Sequence, residues 1–281
     1  MFFIQFNTSY WEGRQVNELA LFAGAGGGIL GGKLLGWRTV CAVEWEPYPA
    51  SVLCARQNDG ILPPFPIWDD VQTFDGKPWR GIVDVVSGGF PCQDISAAGR
   101  GAGIDGVKSG MWREMARIIH EVQPRFAFVE NSPMLTSRGL GTVLGNLAEL
   151  GFNARWGVLG AADIGANHQR NRIWIVAKRS GQLSYTQHNR IRRWEQQQES
   201  IKKENGEMAY ANSTQCKRNK CAERINQEYT NIGSASWWQT EPNLDRVADG
   251  VAARVDRLKA IGNGQVPLCA ATAWKILSEL H

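Results

Sequence analysis

The chain has 281 residues, of which 43% are hydrophobic and 21% charged, the balance of a globular protein built as one large domain or as one domain carrying an insertion. A net charge of +4 at pH 7 permits a polyanionic partner without requiring one. Six scattered cysteines and a short apolar start, Met1-Phe-Phe-Ile-Gln-Phe, argue against a disulfide framework and a secretory leader. No run approaches the roughly 18 apolar residues of a membrane span, so the expected compartment is a reducing cytoplasm.

From Glu18 to Val176 short β-rich runs alternate with helical patterns, as in βα units of a doubly wound, mainly parallel sheet. Glu18–Phe22 reads as a strand, followed by a glycine-rich turn and a helix through Leu35. Thr39–Val43 is a second strand, and Pro47–Gln57 opens with proline in the first turn of a helix. Ile67–Trp68 and Val83–Val86 are short apolar strands that run into loops. Met111–Val122 has helical spacing, with Met111, Met115, Ile118 and Ile119 on one face. Phe126–Val129 is a strand, Val143–Leu150 a helix capped by Gly151, and Ile173–Ala177 another strand. From about Ser180 to Thr240 aliphatic runs nearly vanish, and nine Lys/Arg stand against six acids. That stretch reads as an insertion. Apolar pattern returns at Leu244, and Pro267–Leu280 closes the chain as a helix.

The first strand runs straight into Ala23-Gly24-Ala25-Gly26-Gly27-Gly28. A strand, a glycine turn and a helix N-terminus let backbone N–H groups approach a nucleotide-like ligand. Glu44, at the end of the second strand, can accept hydrogen bonds from ribose hydroxyls. Trp45 can lie against an adenine ring, and Asp69-Asp70 can receive its amino group. Gly26-x-Gly28-x-x-Gly31 also satisfies the dinucleotide fingerprint, so a nicotinamide dehydrogenase competes at this point, as does a purely structural glycine turn.

Ser87-Gly-Gly-Phe-Pro91-Cys92-Gln93-Asp94-Ile95-Ser96 places a cysteine in a loop at the carboxyl end of a strand, where open α/β sheets bind ligands. A thiolate there can add to an electron-poor carbon. The next strand ends in Glu130-Asn131-Ser132-Pro133, on the adjacent loop of the same sheet edge. Taken singly, the cysteine reads more readily as a small core residue and the glutamate as a cap or ion-pair partner. Together they suit cytosine chemistry, in which C5 becomes nucleophilic only after addition at C6, helped by an acid at N3.

Five segments in this order resemble the bacterial and phage DNA (cytosine-5)-methyltransferases over nearly the whole chain. They are Phe22-Ala-Gly-Ala-Gly-Gly, Phe90-Pro-Cys-Gln, Glu130-Asn131, Gln169-Arg170-Asn171-Arg172-Ile-Trp-Ile-Val and Ile261-Gly262-Asn263-Gly264-Gln265-Val266-Pro267. The resemblance implies a Rossmann-like, S-adenosyl-L-methionine-dependent enzyme that flips a cytosine from duplex DNA and methylates C5, releasing S-adenosyl-L-homocysteine. It implies Cys92 as nucleophile, Glu130 at N3, Arg172 at the flipped base and Arg170 in the catalytic pocket or at a phosphate. Phe22, Gly24, Gly26, Glu44, Trp45, Asp70, Phe90 and Asn263 would hold the cofactor, while Gln93, Ser96 and Asn131 would serve the DNA side. Asn167-His168 replace the family's usual Pro-Gln, Ser132 stands for Val, and Gly264-Gln265 depart from the last motif; none removes a group the chemistry needs. His168 is expected to pack or cap.

The implied organisation is a catalytic domain at 1–179, a target-recognition insertion at 180–240 and a return to the catalytic domain at 241–281. In the insertion Arg and Lys can hold phosphates or read guanine, and Asn and Gln can read adenine; a solvated polar loop is the plainer reading. His188, Cys216 and Cys221 are too loosely spaced for zinc, so no metal is expected. The resemblance further implies a monomer working on double-stranded DNA in a prokaryotic cell, with no membrane association, possible pairing with a cognate restriction endonuclease and an unspecified target site. An RNA cytosine methyltransferase and a non-catalytic DNA-binding remnant remain as rivals.

Overall fold

The computed structural model describes residues 14–91, 110–180 and 254–279. In chain order the elements are β1 (Asn17–Leu21), α1 (Gly27–Leu34), β2 (Arg38–Val43), α2 (Pro47–Asn58), β3 (Ile67–Trp68), β4 (Val85–Gly89), α3 (Gly110–Val122) and β5 (Phe126–Asn131). There follow α4 (Leu135–Arg138), α5 (Leu140–Glu149), β6 (Phe152–Leu159), β7 (Arg172–Arg179), α6 (Arg254–Asn263) and α7 (Pro267–Glu279). One seven-stranded sheet has the order β3-β2-β1-β4-β5-β7-β6. The first five strands are mutually parallel, whereas β7 runs antiparallel to β5 and β6 antiparallel to β7.

Side-chain alternation sorts the core into two layers, because successive strand residues point to opposite faces. Leu19, Leu21, Val86, Ala127, Val129, Ile173 and Ile175 pack with α3 and α5 on one face. Val85, Phe126, Phe128, Trp174 and Val176 pack with α7 on the other, where Trp274 meets Trp37 edge-on at 4.6 Å. Ala20 and Ala42 face the same way, beneath Ile29 of α1 and Leu53 of α2. Helices on both faces make the sheet doubly wound. β5 lies inside the sheet between β4 and β7 and is buried along its whole length, as a strand covered on both faces must be.

Two elements differ from the expectation. β6 has no counterpart in the apolar pattern, because as an edge strand it buries only Phe152 and Leu159. In α6 every residue from Val255 to Asn263 is exposed except the half-buried Ala260, so no apolar stripe marks the helix. The strand predicted at Val83–Val86 lies two residues later, and its extra length carries the chain to Gly89 beside Glu130. The segment 180–240 lies, but for Ser180, outside the described residues. Among the described residues no helix is long and apolar enough to cross a membrane.

The chain moves outward from β1 to β2 and β3, then crosses back to place β4 on the other side of β1. The reversal opens a crevice at the carboxyl ends of β1 and β4, the position where open α/β sheets take ligands.

Candidate active site

A turn with three left-handed residues leads out of β1. Phe22 has φ +51°, Gly24 +54° and Gly26 +88°; the last stands at the N-cap of α1, where a side chain would be strained. Glu44, at the end of β2, clasps this turn. Its Oε2 accepts the Gly24 N–H at 2.6 Å and its Oε1 the Glu46 N–H at 2.8 Å. Each oxygen retains a second lone pair for a ligand hydroxyl. Burial pushes the Glu44 carboxyl above its ordinary value, against the pull of those two amides. Trp45 beyond it is 69% exposed, free to lie flat on a ring. Asp70 Oδ1 receives the Gln72 N–H at 2.9 Å in the loop after β3.

The glycines that follow face protein. A Cβ on Gly28 would stand 2.5 Å from Gln265 Oε1, and one on Gly31 would stand 2.7 Å from Ala270 Cβ. Gly27 meets the Gln265 carbonyl more closely still. These residues let α7 and the turn before it settle onto α1. The sequence pattern that resembles a dinucleotide fingerprint therefore serves close packing at Gly28 and Gly31 and a left-handed turn at Gly26.

Glu130 closes the other side of the crevice. It sits near the end of β5, paired in register with Gly89, whose missing side chain leaves room for its carboxylate. Arg172 Nε holds Oε1 at 2.9 Å, and Gln265 Nε2 donates to Oε2 at 3.3 Å. Burial raises the Glu130 carboxyl above its ordinary value, outweighing Arg172, Gln265 and Arg170, which pull it down. A buried acid that keeps its proton more readily than usual, beside a guanidinium, is suited to hand that proton to a ring nitrogen.

Arg170, itself at φ +38°, donates through Nη2 to the carbonyls of Gly262 and Gly264. It thus fastens the turn between α6 and α7 over the crevice. The space between is about 390 Å³, solvent included, and is lined by Phe22, Gly24, Gly28, Ser87, Glu130 and Asn263, with Gln265 at its edge.

Several expected site residues lie elsewhere. The Phe90 ring is buried against Trp112, 5.4 Å between centroids. Asn131 is 3% exposed; its Nδ2 donates to the Phe90 carbonyl at 3.1 Å and its Oδ1 accepts the Ser132 N–H at 2.7 Å. Asn131 therefore ties the end of β5 to the start of the cysteine loop. Gly26, Glu44, Trp45 and Asp70 do not line the crevice itself; Glu44 touches it only through the Gly24 N–H. His168, expected to pack or cap, is instead exposed, its Nδ1 3.5 Å from Asn167 Oδ1. Cys92, Gln93 and Ser96 fall outside the described residues, as do His188, Cys216 and Cys221.

Two features had no signal along the chain. One is the Gln265 carboxamide bridging two loops. The other is Glu18, 1% exposed on β1, which accepts hydrogen bonds from Ser87 Oγ at 2.6 Å and Thr39 Oγ1 at 2.8 Å. With no cation beside it in that network, burial pushes its carboxyl up to about 7, and the two hydroxyls offset only part of the rise.

Residues 16–266 match the model of the family described as C-5 cytosine-specific DNA methylase. The Type II methyltransferase M.PspPI of Psychrobacter sp. (strain TA137) is 33% identical over 161 residues, covering 54% of this chain and 38% of that protein. The Type II methyltransferase M.Eco47II of Escherichia coli is 35% identical over 173 residues, covering 58% and 39%. M1.HphI of Haemophilus parahaemolyticus is 31% identical, covering 61% and 50%. The chain thus spans half or less of the length of these relatives. In fold it is similar to the Entamoeba histolytica methyltransferase EhMeth, with a TM-score of 0.51 and 16% identity over 59% of this chain and 54% of that one.

Proposed function

The chain belongs to the C-5 cytosine-specific DNA methylase family, and from that premise we propose that it transfers a methyl group from S-adenosyl-L-methionine to C5 of a cytosine flipped out of duplex DNA. The observation that carries this reading is the buried Glu130, held by Arg172 Nε at 2.9 Å beside a crevice floored by the glycine turn, with burial raising its carboxyl above the ordinary value.

The crevice and the strand ends beside it fit a nucleoside sulfonium. Glu44 has spare acceptor capacity at the end of β2, Trp45 offers an exposed ring face, and Phe22, Gly24 and Asn263 line the opening. Bound there, S-adenosyl-L-methionine supplies an electrophilic methyl group. Asp70 would take the adenine edge.

Cys92 adds its sulfur to C6 as Glu130 gives its proton to N3, which leaves C5 electron-rich. Arg172 keeps the carboxyl group in place and balances the charge that Glu130 acquires. After methylation, loss of the C5 proton to a base expels the Cys92 sulfur as thiolate, and N3 returns its proton to Glu130, which restores both the ring and the acid. Asn131, through the Phe90 carbonyl, holds the start of the loop that carries Cys92. Gln93 and Ser96 on that loop would face the DNA, Arg170 would steady the crevice roof, and the 180–240 segment would read the sequence. The Type II names of the relatives support pairing with a restriction endonuclease; on the same reading the protein acts as a monomer in a prokaryotic cytoplasm.

The test is incubation with S-adenosyl-L-methionine and mixed-sequence duplex DNA, followed by digestion and nucleoside quantification. The wild type should yield 5-methylcytosine, and Cys92→Ala should yield none while still binding S-adenosyl-L-homocysteine. Absence of product from the wild type on DNA, with product on RNA or on neither, overturns the reading.

A further inference from the structure

Gln265 occupies a position between the two halves of the crevice. Its carbonyl and carboxamide oxygens lie against Gly27 and Gly28 of the cofactor turn, and its Nε2 lies against Gly89 and Glu130. A side chain on any of these glycines would collide with Gln265 or with the Glu130 carboxylate. The peptide that carries Gln265 is held on the other side by Arg170, through the carbonyls of Gly262 and Gly264. Three separate segments therefore converge on one carboxamide, and Arg170 holds the backbone that carries it.

We propose that Gln265 is the positioning residue for Glu130: its amide holds Oε2 on the crevice side while Arg172 holds Oε1, so that the carboxyl group is presented to the base in one orientation. This rests on the methyltransferase reading for its consequence, but the contact stands by itself. The 3.3 Å separation to Gln265 is longer than the 2.9 Å to Arg172, so Oε2 is the oxygen more readily released to an incoming ring nitrogen and amino group. The ionisable groups facing Glu130 are Arg172 at the start of β7 and Arg170 before it; Cys269 of α7 lies near both arginines. Gln265 adds a donor that favours the ionised form of Glu130 without adding a charge.

Gln265→Met keeps the length and removes the donor; Gln265→Asn withdraws the donor by one methylene and serves if the methionine variant does not fold. In either, Glu130 should hold its proton to higher pH by about one unit, the scale of one hydrogen bond to a charged group. Infrared difference titration of the protonated carboxyl stretch, with Glu130→Gln identifying the band, reads this without any turnover. In single-turnover methylation of mixed-sequence duplex DNA the alkaline limb should move by the same amount, with the rate at the optimum about tenfold lower. A merely structural role would lower the melting temperature without moving the limb or the band. An unmoved Glu130 band overturns the inference whether or not the enzyme turns over. A band that moves in the variants, where the wild type makes no 5-methylcytosine, upholds the contact and overturns the function.

Discussion

Replacing Glu18 by glutamine removes the ionisation of the most deeply buried acid of the sheet while preserving its shape and one of the two acceptor oxygens, the other hydroxyl turning to accept from the new NH2. The carboxyl is 1% exposed, and burial raises it from 4.5 to about 7. The fold therefore binds this proton more tightly than the unfolded chain does. Its contribution to stability is fully present below pH 4.5 and is lost as pH rises through 7. Across that window each pH unit removes about 1.4 kcal/mol, for a total of about 3 kcal/mol. That is a large share of the roughly 5–15 kcal/mol of a typical domain. Urea unfolding of both proteins at pH 5 and pH 8 isolates the effect, because other titrating groups, Glu44 and Glu130 among them, are common to both. The wild type should lose about 2.5 kcal/mol more than Glu18→Gln between the two conditions, since the loss begins below pH 5. Parallel losses in the two proteins would show that Glu18 is not held neutral, and the burial argument would fall.

Gly31→Ala sets a Cβ 2.7 Å from Ala270 Cβ and 3.0 Å from the Pro267 carbonyl. It should destabilise by about 1–3 kcal/mol in urea melts despite the better helix propensity of alanine. Gly145→Ala, in α5 with nothing within 4 Å, should instead stabilise by about 0.5–1 kcal/mol; equal effects at the two sites would refute the close approach of α7. Glu44→Ala leaves the Gly24 and Glu46 amides without their acceptor. Calorimetry should show S-adenosyl-L-homocysteine binding weakened about tenfold or more, with DNA affinity little changed; unaltered cofactor affinity would remove Glu44 from the site.

Periodicity and punctuation along the chain carry most of the fold. The strand at Glu18–Phe22, the Pro47 helix start and the apolar face of Met111–Val122 are local signals, set by side-chain spacing and backbone preference, and each lies within a residue or two of its element. Glu130 at a strand end beside a glycine turn was legible for the same reason, since βα topology brings such ends to one edge. What a side chain does after the strand ends is a different matter. Phe90 turns into the core and Asn131 binds backbone, although both sit in segments that read as site. Nothing local marks the solvated α6 or the edge strand β6, because neither has a wide buried face.

The chain order alone thus determined the alternation of elements, the glycine turn and the acids at the strand ends. Only the tertiary structure decided which groups meet. Gln265 reaches Glu130 across 135 residues, and Ser87 reaches Glu18 across 69. Those pairings, and the raised proton affinity of the two buried carboxyls, arise from desolvation and proximity, quantities that exist only once the sheet has closed and water has left.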